Sequence, residues 1–117
     1  MAKIQCEVFG DFDLILNSVS NAVTDGSMSA TLEDSSDFYG TDSRCAVRVY
    51  ERYSYLGKNR VSLSITLFQT HEHIYITAIT SGGSEAMFFK INTFGEKSFL
   101  NTVRNTIEAF TYRGYYG

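Results

Sequence analysis

Between Arg44 and Ile91 the chain alternates apolar and polar side chains through successive strand-like runs joined by short turns, and this period-two pattern points to an antiparallel sheet. In the first run the odd positions read Cys45, Val47, Val49, Glu51, Tyr53 and Tyr55, whereas the even ones read Arg44, Ala46, Arg48, Tyr50 and Arg52. The odd face is the more apolar, so it is expected to meet the core and to leave a basic face outward. Residues directly opposed in an antiparallel pair share a face, which lets the turns test the assignment. A turn at Gly57-Lys58-Asn59 opposes Tyr55 to Val61, Tyr53 to Leu63, Glu51 to Ile65 and Val49 to Leu67; a Gly82-Gly83 turn opposes Ala78 to Met87, Ile76 to Phe89 and Ile74 to Ile91. Both sets are consistent with one apolar face, and they predict that Val49, Leu63, Ile65, Leu67, Ile76, Phe89, Phe99, Val103 and Ile107 share a core.

The flanks supply helices and a further pair of strands. Lys3–Phe9 alternates and reads as a strand. Asp11 then suits a helix N-cap, with Asp13 in the first turn, and Phe12, Ile15, Leu16, Val19 and Val23 form a stripe at helical spacing. Asp25-Gly26 is expected to close that helix through a left-handed glycine. Ser27–Glu33 alternates again, with Met28, Ala30 and Leu32 inward, and Asp34–Ser43 reads as a loop around Phe38-Tyr39. At the other end, Thr93 with Glu96 forms a capping box ahead of the stripe Phe99, Leu100, Val103, Ile107 and Phe110, and Arg113-Gly114 closes the helix.

The expected fold class is therefore α+β, a single antiparallel sheet of about six strands with two helices on one face, in the order β-α-β-β-β-β-β-α. A chain of 117 residues fits one domain, spanning 1–117, with an aromatic tail at 112–117. Hydrophobic residues make up 44% and charged residues 20%, which argues against both disorder and membrane insertion, and no apolar run approaches the ~20 residues of a membrane span. Met1-Ala2-Lys3 leads straight into a strand pattern, so a cytoplasmic protein is expected. The net charge of −3 offers no global attraction to nucleic acid. Cys6 and Cys45 fall on apolar strand faces and read as free thiols that pack as small hydrophobes, with a disulfide between them the alternative.

The strings Leu32–Phe38, Val47–Tyr55, Ala78–Ser84 and Phe89–Glu96 resemble a family of short, single-domain bacterial proteins known only as a domain of unknown function. The resemblance spans nearly the whole chain and implies a stand-alone domain, but no activity and no functional residues. In topology alone, a C-terminal helix lying across a curved antiparallel sheet is similar to TATA-binding-protein-like and helix-grip layers, and fold does not carry function.

Four features bear on function. The expected outer face gathers Lys3, Arg44, Arg48, Arg52, Arg60 and Lys90, six of the ten cations, against the acids Glu7 and Glu33. Tyr50, Phe68, Tyr75 and Phe88 interleave with them, as on a surface that meets an anionic or protein partner. Glu51 sits on the apolar face between phenols, so Glu51, Tyr53 and Tyr55 are candidates to line a small-ligand pocket between the sheet and the C-terminal helix. The loop acids Asp34, Asp37 and Asp42 lack the ligand spacing of a calcium loop, and His71-Glu72-His73 offers two imidazoles without a third ligand, so no metal site is expected. Ser81-Gly82-Gly83-Ser84 lies between strands rather than ahead of a helix and reads as a hairpin turn. No catalytic constellation and no cofactor motif emerge. The leading expectation is a non-enzymatic binding or interaction domain using Arg44, Arg48, Tyr50, Arg52, Arg60, Tyr75 and Lys90; the alternatives are the Glu51 pocket and homo-oligomerisation through the sheet face or edge.

Overall fold

A computed structural model describes residues 1–27, 29–54, 59–82 and 89–112, with side chains at all of these except 54, 59 and 89–96. Its elements follow in the order β1 (Ala2–Val8), α1 (Phe12–Gly26), β2 (Thr31–Tyr39), β3 (Ser43–Ser54), β4 (Asn59–Thr70), β5 (His73–Gly82) and α2 (Phe89–Ala109). The strands form one antiparallel five-stranded sheet in the order β1-β5-β4-β3-β2. The class is α+β as the periodicity implied, with one strand fewer. The segment expected to return beside β5 after Gly82-Gly83 instead enters α2, which starts at Phe89, and β1 takes that place with Ile4 opposite Ala78 and Cys6 opposite Ile76. Gly83 and Met87 lie outside the described residues, as do the side chains of Phe89, Ile91, Thr93 and Glu96.

Both helices cover one face. Phe12, Ile15, Leu16, Val19 and Val23 of α1 and Phe99, Leu100, Val103 and Ile107 of α2 are buried, and Phe110 just beyond α2 joins them. They meet Val8 of β1, the odd residues Val61, Leu63, Ile65 and Leu67 of β4, and the even residues Ile74, Ile76 and Ala78 of β5 in one core. Asp11 caps α1 as its sequence predicts, its carboxylate accepting from the Leu14 amide at 2.9 Å. Gly26 behaves otherwise than expected: it is the last helical residue, followed by extended Ser27, and it has no left-handed φ. Its missing side chain serves packing instead, because a Cβ there would stand 3.0 Å from Cβ of Thr102 on α2. Left-handed backbone falls at Gly10, φ 139°, where β1 turns into α1, and at His71, φ 56°, in the β4–β5 turn.

The register of β3 is the principal correction. Ser54 pairs with Asn59, so Tyr50 opposes Leu63, Arg48 opposes Ile65 and Ala46 opposes Leu67. The pairing is displaced by three residues from the expected one, and an odd displacement exchanges the two faces of a strand. Ala46 and Tyr50 are buried under the helices, while Val47, Val49, Glu51 and Tyr53 turn outward. Val49 is accordingly not a core residue. The edge strand is also placed differently: β2 runs through the expected loop, all nine of its residues are exposed, and Leu32, though opposite buried Tyr50 on the helix side, is 51% accessible. A bulge between Leu32 and Asp34 and the acids Glu33, Asp34 and Asp37 blunt this edge.

Candidate functional site

Helix α2 lies against β1, β5 and β4, and α1 packs beside it, so β3 runs along the margin of the helix layer. This margin is where the expected basic face went. Arg44, Arg48 and Arg52 point to the helix side and edge the core rather than forming an outer platform. The Arg44 guanidinium lies 4.2 Å above the Phe12 ring and pairs with Asp13 at 2.8 Å; this hydrogen bond holds the Asp13 carboxyl below its ordinary pKa and raises that of Arg44. Arg48 pairs with Asp37 across the β2–β3 ladder at 3.1 Å and donates to the Val47 carbonyl at 2.9 Å. Arg52 lies 4.6 Å from the centre of the Phe99 ring and 3.3 Å from Ser27 Oγ, and desolvation lowers its pKa. Such residues bury their aliphatic stems and keep the charged head at the boundary. They read as a seal along the open side of the core.

The expected pocket dissolves for the same reason. Glu51 and Tyr53 face away from both helices, and Glu51 accepts from Arg60 Nε at 2.8 Å with Glu33 3.8 Å from the same guanidinium. A carboxylate on the outer face needs no cavity to explain it. Tyr55 and the side chain of Lys90 lie outside the described residues, as does Phe88. Tyr50 is buried at 3% accessibility; Arg60 and Tyr75 do stand on the outer face. Cys6 packs against the core and Cys45 faces outward, so both are free and on opposite sides of the sheet; burial pushes the Cys6 thiol pKa up, with Glu108 adding to the effect.

With the faces corrected, the outer surface has a different character. Cross-strand pairing orders it in rows that run from β2 to β1. One row is Phe38, Cys45, Phe68, Tyr75 and Glu7; the next is Ser36, Val47, Thr66, Thr77 and Gln5; the third is Asp34, Val49, Ser64, Ile79 and Lys3. In these rows the three central strands carry no charge at all. Phe68 and Tyr75 are each 41% accessible and Phe38 66%. Charges stand around this block: Lys3 and Glu7 on β1, Asp34 on β2 and the Glu33–Arg60–Glu51 cluster at one end; at the other, the His73 ring is hydrogen-bonded to Glu7 at 2.8 Å. The outer face thus has an uncharged, partly aromatic centre inside a charged rim.

The sheet's turn end carries a shallow, open depression of about 500 Å³ between Asp42, Ser43, Arg44, Gln69, His71 and Glu72. The His71 amide donates to the Asp42 carbonyl at 2.8 Å, tying the two turns together. Of the residues singled out for binding, only Arg44 borders it. Among the described residues no three His, Cys, Asp or Glu side chains converge on a point, and no helix is long and apolar enough to cross a membrane.

The signal that finds the outer block in a sequence is weak, because Ser, Thr, Val and a single aromatic per strand also suit an ordinary solvated face. It emerges only when the register places them side by side. Residues 1–111 match the model of a family described as a family of unknown function, DUF6054. No curated protein matches the chain.

Proposed function

The chain belongs to DUF6054, a family of unknown function, and we propose from its geometry that it is a non-enzymatic, cofactor-free interaction domain of the bacterial cytoplasm that docks a protein through the outer face of its sheet. The observation that carries this reading is the uncharged block on β3, β4 and β5, centred on Thr66 and bounded by Cys45, Phe68 and Tyr75 on one side and Val49 and Ile79 on the other. On this face charge is confined to the positions around the block, as in an interface whose centre is depleted of charge and whose rim is polar. The patch lies opposite both helices, so a partner can reach it without disturbing the core.

In-cell photo-crosslinking tests the proposal. A photoreactive residue in place of Thr66 is expected to yield discrete protein adducts, whereas one in place of exposed Asn21 on α1 yields none. Equal labelling from both positions, or none from position 66, overturns it.

A further inference from the structure

Resting on that reading and naming the partner, we infer that the outer face pairs with the same face of a second copy, about a twofold axis running along β4. The sheet order makes β4 the middle strand, so this axis lays β3 of one copy over β5 of the other and β2 over β1. The arrangement of charge on the rim is what selects a second copy. Lys3 and Asp34 occupy the same cross-strand row at opposite edges of the sheet, reached through Ile79, Ser64 and Val49. The twofold brings Lys3 of each copy onto Asp34 of its mate, and it does so twice.

The size of the face agrees. Five strands spaced ~4.8 Å apart, each presenting some 30 Å of length, offer roughly 700 Å² of nearly flat surface. Two such faces bury about 1,400 Å² together, inside the range of stable specific interfaces. Aligned stacking of two sheets about 10 Å apart is also a standard way for sheets to pack. Ser64, Thr66 and Phe68 of the uncharged block lie on the axis, each meeting its own copy; Arg60, at the end of the same strand, also meets its own copy there, with Glu51 and Glu33 beside each guanidinium to offset its charge. An unrelated partner with a surface of one sign gains less, because the rim carries both signs, Lys3 and Glu7 on β1 and Asp34 on β2.

The test is the oligomeric state of the purified full chain. Sedimentation velocity across a concentration series is expected to show a monomer–dimer equilibrium. Thr66→Arg sets two guanidinium groups against each other on the axis and raises the dissociation constant roughly a hundredfold. Lys3→Glu weakens association by about threefold to tenfold, and adding Asp34→Lys restores it, since each edge contact recurs twice. The charge-swap pair sits on the exposed edge strands, so it reports even if Thr66→Arg impairs folding. Alkylation of Cys45, but not of Cys6, slows as protein concentration rises. A monomer at every concentration, or a dimer indifferent to both Thr66→Arg and Lys3→Glu, overturns the inference. A monomer whose position-66 crosslinks reach a different protein defeats the self-pairing alone; a monomer without such crosslinks defeats the interaction reading with it.

Discussion

The guanidinium of Arg52 lies over the face of the Phe99 ring, 4.6 Å from its centre, where β3 passes the flank of α2. A cation placed there gains from the ring quadrupole while its methylene stem covers apolar surface. Phe99 is fully buried, so this contact closes the core on its open side. Arg52→Ala is expected to lower stability by about 1–2 kcal/mol, with Arg52→Met recovering part of the loss through the stem alone. Arg52→Glu costs more than either, because it brings a carboxylate to a desolvated position. Urea denaturation of the three variants checks the ranking; Arg52→Glu at wild-type stability contradicts this placement.

Leu63 and Phe99 stand on facing sides of the same core, each with no accessible surface. Leu63→Ala or Phe99→Ala removes buried methylenes or a ring that neighbours cannot fully replace, so each should cost roughly 2–5 kcal/mol. By contrast Val49→Ala on the outer face should cost under about 1 kcal/mol in the monomer. The contrast between Leu63 and Val49 in chemical denaturation is a direct assay of which face the helices cover.

Gly26 sets two effects of opposite sign against each other. Alanine is the better helix former by up to ~1 kcal/mol, yet its Cβ would press on the Thr102 Cβ at 3.0 Å, which is attached to backbone and cannot swing away. Because Gly26 is the terminal residue of α1, the propensity gain is small there and the clash is expected to prevail. Gly26→Ala should lower the midpoint of thermal unfolding, and Gly26→Val should lower it further. A rise on Gly26→Ala would mean that the two helices can part at little cost.

Asp13 gives the acid limb of stability a specific contributor. The Arg44 hydrogen bond depresses its folded-state pKa, so the folded protein holds this proton less tightly than the unfolded chain. The contribution is complete above the unfolded carboxyl pKa and disappears as pH falls through the depressed folded value. Asp13→Asn should therefore be less stable than wild type near neutrality, and the gap should close on acidification. Melting curves of both proteins from neutral pH downward measure it.

Much of the layer was legible in the chain. Both helical stripes, the Asp11 cap and the inward faces of β4 and β5 follow from spacing, since Leu63, Ile65 and Leu67 alternate with small polar residues and leave no ambiguity. Strand β3 misleads because its charges are on the inner side. Arg44 and Arg52 shelter their stems against Phe12 and Phe99 at the margin of the helices, while Val47 and Val49 face outward into the uncharged block. Periodicity weighs each side chain as wholly polar or wholly apolar, and it carries no information on where the helix layer ends. Glu51 was misplaced by the same displacement of three residues, which made an exposed ion pair with Arg60 read as a buried acid. The sixth strand failed on a different ground. Phe89–Ile91 alternates too briefly to tell a strand from the first turn of a helix.

The pairing of β1 with β5 sets the order in which the molecule can assemble. Thr80 donates to the Ala2 carbonyl 78 positions away at 3.4 Å, and the Phe9 amide donates to the Phe110 carbonyl at 2.8 Å. During synthesis the first strand therefore emerges with no neighbour. The hairpins of β2 through β5 form from local contacts, but β1 must wait for β5 to leave the ribosome, and its final hydrogen bond waits for the turn after α2. Closure over so long a stretch of chain slows folding and leaves an apolar strand edge uncovered in the meantime. A chain that stops before Phe110 can thus pair β1 with β5 but lacks the carbonyl that holds Phe9, so the end of the last strand to join the sheet is also the last point to be fastened.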